Sequence, residues 1–212
     1  MHDIPNAIML TVILLNIYIL GSSRLGACIH AVALQGAIIS LLPLLIHGFA
    51  AHAIILAIGA FVLKGLAIPR LLLRAVKKAN IKKKIEPRIG YVPSLIFGAL
   101  ATGSAFIFAD RLPLLSEHIH SLVIPTSMAT LAIGFLLLIT RRKAINQVLG
   151  YLIFENGIFL FGVLLSEAMP LMVEAGVLLD MLVAIFVMGI VMNHINKEFS
   201  SIDTENLCLL RE

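Results

Sequence analysis

The sequence predicts an all-α, polytopic membrane protein of seven transmembrane helices, with its N-terminus outside and its C-terminus in the cytoplasm. Three observations carry this. Of the 212 residues, 60% are hydrophobic and only 13% charged, against roughly half and a quarter in a soluble domain. The apolar stretches each approach the ~20 residues that a tilted helix needs to cross a ~30 Å hydrocarbon core. The basic residues, finally, segregate to alternate connections, as lysine and arginine do on the cytoplasmic side of a membrane. A water-soluble globule and a disordered tail are excluded. The two cysteines, Cys28 and Cys208, stand far apart and outside any CxxC, so the chain cannot be a disulfide scaffold or hold an iron-sulfur cluster or four-thiolate metal site.

Span one covers approximately residues 4 to 20. The residues before it, Met1-His2-Asp3, contain no lysine or arginine, so the basic n-region of a secretory signal is absent and the stretch is kept as a span. Spans two and three follow at 27 to 46 and 53 to 73. The loop after them carries Arg70, Arg74, Lys77, Lys78, Lys82, Lys83, Lys84 and Arg88 against the single Glu86. This loop fixes topology against anionic headgroups or, on a sharper reading, offers a docking strip to an acidic peripheral subunit. It lacks the interleaved aromatics of a nucleic-acid site.

Span four, 91 to 109, repeats Gly98, Thr102, Ala105 and Ala109 at helical spacing, a small-residue face that suits a packing helix. Spans five to seven run from 122 to 140, 147 to 166 and 171 to 194. Arg141, Arg142 and Lys143 follow span five and are read as cytoplasmic loop charges. With Arg24, Lys197 and Arg211 they bring fourteen of the sixteen basic residues to one side. The chain divides into a three-helix N-terminal half with its basic loop (1–90), the fourth helix with an outside loop (91–121), a second three-helix unit (122–199) and a cytoplasmic tail (200–212). A faint internal repeat pairs Gln35-Gly36 with Asn156-Gly157, and Lys64 with Asp180.

Four ionisable residues remain at membrane depth: Lys64 in span three, Glu155 in span six, and Glu174 and Asp180 in span seven. Each costs roughly 2.5 to 3.5 kcal/mol at a helix centre, so four are a heavy burden for an inert anchor. Desolvation disfavours the charged form, so a carboxylic acid at this depth can hold a proton near neutral pH. Glu155, Glu174 and Asp180 are therefore candidate proton carriers and Lys64 the charge that tunes them. The alternative is a helix-locking ion pair of Lys64 with Glu155 or Glu174. Pro69 lacks an N–H, which frees the Gly65 carbonyl beside Lys64. His30 either extends the proton path or serves as a packing histidine. His118 and His120 lack further ligands at metal-binding spacing. No catalytic, metal or cofactor-binding residue is expected.

The segment PLMVEAGVLLDMLVAIFVMGIVMNHINKEF with its tail SSIDTENLCLLRE resembles the family of the E subunit of hydrogenase-4, a group of membrane proteins. The resemblance extends through LITRRKAINQVLGYLIFENGIF and more loosely through FVLKGLAIPRLLLRAVKK. The last three spans are also similar to the K subunit of complex I and the C subunit of multisubunit cation antiporters, whose final-helix carboxylate falls on Asp180. Glu155, in GYLIFEN, stands about one turn later than the GLE glutamate of the complex I relative. The resemblance implies a non-catalytic subunit, without a redox centre of its own, in the prokaryotic inner membrane. It would serve a group-4 energy-converting nickel-iron hydrogenase or formate hydrogenlyase. Its partners would be antiporter-like membrane subunits and a peripheral hydrogenase arm, in a complex that moves protons or sodium ions. A structural spacer between such subunits and an autonomous secondary transporter are the competing expectations.

Overall fold

The computed structural model describes residues 3–47, 51–78, 89–111, 122–141 and 144–165. These residues are helical almost throughout and contain no strand. The elements are α1 (Asp3–Gly21), α2 (Leu25–Ile39), α3 (Leu42–His47), α4 (Ala51–Ala60), a π-helical stretch (Phe61–Ala67), α5 (Ile68–Lys78), α6 (Tyr91–Ala109), α7 (Val123–Thr140) and α8 (Ala144–Leu165). Among the described residues five segments are long and apolar enough to cross a membrane: Ile4–Gly21, Leu25–Leu45, Ala53–Arg74, Tyr91–Ala109 and Val123–Thr140. They coincide with the first five predicted spans. α8 falls on the predicted sixth; its 22 residues reach ~33 Å, but they include Asn146, Gln147, Glu155 and Asn156. The predicted seventh span lies outside the described residues.

Local sequence explains the breaks. α2 ends at Ile39 because Pro43 cannot donate to the Ile39 carbonyl; Ser40 closes the turn, its hydroxyl donating to Ala37 O at 2.7 Å. The third span is irregular where Pro69 predicts it. There the backbone widens into i→i+5 bonding, and Ile68 N–H, one residue before the proline, reaches Leu63 O.

α7 and α8 form the tightest pair. Gly134, Gly150 and Gly157 lie where a β-carbon would collide with Phe154, Leu138 and Leu131 respectively, so the two backbones touch. α6 packs through Ser94, Gly98, Ala105 and Ala109, with Leu20 against Gly98; Thr102 of the small-residue face is only half-buried. Its opposite face exposes Val92, Ile96, Leu100 and Ile107, a surface suited to hydrocarbon rather than water.

The interior separates into layers. One apolar cluster includes Ile19, Val32, Ile68, Ile133 and Leu152; a second includes Val12, Ile39, Ala60, Val123 and Phe159. On each of five helices the chain passes from one cluster to the other through a buried polar residue. These are Asn16 on α1, Gln35 on α2, Lys64 on the π-helical stretch, Thr126, Ser127 and Thr130 on α7, and Glu155 and Asn156 on α8. A polar layer therefore lies between two apolar ones.

Candidate functional site

Lys64 and Glu155 meet inside the polar layer. Lys64 Nζ lies 2.9 Å from Glu155 Oε1, and the two side chains are only 6% and 3% exposed. The ammonium also faces Asn156 Oδ1 at 3.5 Å and stands 4.8 Å from the centre of the Phe159 ring. Residues 155 and 156 share a face of α8 with Phe159, as their four- and three-residue spacings from it allow. Opposite them, α2 comes close to the lysine because Gly36 has no side chain: a β-carbon there would stand 2.8 Å from Lys64 Cβ. Lys64 is thus held between Gly36 on α2 and Glu155, Asn156 and Phe159 on α8, the two amide–glycine steps that the internal repeat singles out.

Beside the pair runs a chain of neutral groups. Gln35 Nε2 donates to Asn16 Oδ1 at 3.0 Å, and Asn16 Nδ2 donates to Thr130 Oγ1 at 2.8 Å. Thr130 in turn donates to Thr126 O at 2.7 Å. Asn16, Gln35, Thr126 and Thr130 have no solvent exposure. Glu155 Oε2, Gln35 Oε1 and Thr126 Oγ1 have no hydrogen-bond partner among the described residues.

Electrostatically, the site is a desolvated ion pair whose partners hold each other's charge. Breaking such a pair on one side leaves an uncompensated buried charge.

Of the residues proposed from sequence, Lys64 and Glu155 are brought together, with Asn156 beside them. Glu174 and Asp180 lie outside the described residues, as do His118, His120 and Cys208. His30 is not brought to the pair. It is exposed on α2, and its Nδ1–H bonds to Gly26 O at 2.7 Å. Asn16, Thr126 and Thr130 are not singled out by the sequence; the available signal is a lone amide or hydroxyl in the middle of an apolar span.

Arg141, which charge counting reads as a loop charge, is 2% exposed at the end of α7. Its backbone extends directly from α7, which turns the side chain inward. Nη2 donates to Leu20 O at 3.0 Å, and the guanidinium lies 5.9 Å from the Tyr91 ring centre. Leu20 is in the last turn of α1, whose carbonyls lack helical partners and attract a cation. Gln147 Nε2 closes the same corner by donating to Arg141 O at 3.2 Å.

No family model matches the sequence, and no solved structure matches the fold. The chain is 30% identical over 203 residues to the uncharacterized protein Rv0085 of Mycobacterium tuberculosis, covering 94% of this chain and 92% of that one. It is 26% identical over 168 residues to hydrogenase-4 component E of Escherichia coli, covering 77% and 76% of the two chains. The component E of Shigella flexneri matches to the same extent. The chain therefore belongs to the family of the mycobacterial protein and is a distant homologue of hydrogenase-4 component E.

Proposed function

We propose that this chain is an integral membrane subunit of an energy-converting, group-4 nickel-iron hydrogenase or formate hydrogenlyase type complex. There it contributes to translocating protons, or sodium ions, as electrons pass through a peripheral arm. The observation that carries the reading is the buried Lys64–Glu155 pair in the polar layer. Apolar spans and the distant homology to hydrogenase-4 component E support the membrane-subunit part. In this reading the chain crosses the inner membrane seven times, N-terminus outside, and residues 122–199 form a unit like the complex I K subunit. Glu155 exchanges protons, Lys64 sets the energy of its charged form, and Glu174 and Asp180 continue the relay. The partners are antiporter-like membrane subunits and the hydrogenase arm, which brings the redox centres.

A second reading has its own support. A direct 2.9 Å contact between Lys64 and Glu155 is also what a helix lock in a structural spacer requires. Glu155→Gln separates the two. In the translocation reading this variant assembles and evolves hydrogen in detergent, yet builds no ion gradient in sealed vesicles. A Glu155→Gln complex that pumps normally would leave the spacer.

A further inference from the structure

Beyond the ion pair itself, the structure assigns a one-sided water path to it. We propose that Glu155 Oε2, Gln35 Oε1 and Thr126 Oγ1 anchor internal waters that connect the pair to the Asn6 end of the bundle and not to the Arg141 end. This deepens the proton-carrier reading of Glu155 and rests on it for its purpose, though not for its geometry.

All three atoms are oxygens on side chains at least nine-tenths buried, and none has a hydrogen-bond partner among the described residues. A buried acceptor left unpaired costs about 1–3 kcal/mol, and internal waters making about 3 hydrogen bonds are the ordinary remedy. A metal cation is a poor occupant here, because the Lys64 ammonium already stands 2.9 Å from Glu155. Water carries no charge and donates the missing hydrogen bonds.

The direction follows from what lines each side. Toward the Asn6 end, α7 presents Thr130, Ser127 and Thr126, and beyond them Leu122 N–H donates to Asn6 Oδ1 at 3.1 Å. Thr130 and Thr126 are one helical turn apart, ~6 Å, and Thr130 is bonded to Asn16 and so to Gln35. Polar groups thus recur at each turn along this face of α7, running past Val12, Val123 and Phe159 of the second apolar cluster. Toward the Arg141 end, the next buried polar residue on α8 after Glu155 is Asn146, nine residues or ~13.5 Å away. Val148, Leu149, Leu152 and Ile153 fill the interval, within the cluster that also holds Val32 and Leu72. No buried polar side chain of α8 stands in that interval, and the unpartnered atoms of Asn146 and Arg141 lie beyond it.

Silver ion, which is similar in size to water and does not cross lipid, tests the proposal on the chain in its own complex. Cysteines are placed singly at 126 and 152, as Thr126→Cys and Leu152→Cys, in a background without Cys28 and Cys208. Silver is added to right-side-out or inverted vesicles, and the thiols still free after denaturation are counted by mass. The thiol at position 126 should react roughly tenfold faster from the Asn6 side than from the other, as a water-filled rather than packed site would. The thiol at 152 should resist from both. Gln35→Leu should slow labelling at 126 without changing that of a thiol at position 110, exposed at the C-terminal end of α6. A thiol at 126 that stays free from both sides, or one at 152 that labels as fast, overturns the path. If Thr126→Cys fails to assemble, Thr130→Cys takes its place. Labelling does not depend on transport, so a labelled position 126 in a complex where Glu155→Gln pumps normally would refute the proton-carrier reading and leave the water path standing.

Discussion

Two places in the molecule bring helix backbones together through glycine, and they do so to different ends. Between α7 and α8, Gly134, Gly150 and Gly157 face atoms of the opposing helix, backbone nitrogens among them, and no charged side chain is among those atoms. Between α2 and the π-helical stretch, Gly36 faces the side chain of Lys64. The first contact makes a rigid pair from which Glu155 projects; the second sets where the ammonium must stand. A missing side chain builds the scaffold in one case and aims a charge in the other.

Removing the charge should have the largest effect. Lys64→Met leaves Glu155 buried without its partner and should destabilise the chain by about 3–5 kcal/mol. The double variant Lys64→Met with Glu155→Met should regain most of that, since apolar replacement of a whole buried pair is often neutral or stabilising. Unfolding in mixed micelles of detergent and SDS measures both; a double variant as unstable as the single would show that the pair itself contributes net stability. Next comes the scaffold seam. Gly134→Val drives a branched side chain into the backbone of Phe154 and should cost about 3 kcal/mol, read as a fall in the yield of assembled complex from membranes.

The corresponding change at the second contact should be milder but more specific. Gly36→Ala meets a side-chain carbon first, so Lys64 can give way, at about 1–2 kcal/mol. Ion translocation should fall further than assembly does; equal losses would make Gly36 a packing residue only. Asn16→Leu removes two interhelical hydrogen bonds outside both contacts, each worth about 0.6 kcal/mol in membrane helices, and should lower the unfolding midpoint slightly. His30→Ala closes the series. Exposed and bonded to its own turn, it should change stability by less than about 0.5 kcal/mol and leave translocation untouched.

The first five spans are legible because apolar length is a property of sequence alone. So is the irregularity beside Lys64, since a proline without an N–H must disturb the turn before it. That Glu155 contacts Lys64 is not legible, because it depends on which helix the third span packs against. The burial of Arg141 is not legible for a related reason. Counting basic residues sorts them by position along the chain, whereas the free carbonyl of Leu20, 121 residues away, is what draws this one inward. Asn16 and Thr130 escape notice because a single hydroxyl or amide in a span usually bonds within its own helix; only the fold shows them bonded to each other.

The layering of the bundle has an electrical meaning. Two apolar clusters enclosing a thin polar sheet make two insulating layers, one on either side of the plane where the buried charges sit. A transmembrane voltage divides between those layers according to how well each excludes water, so internal water through one cluster shifts the drop onto the other.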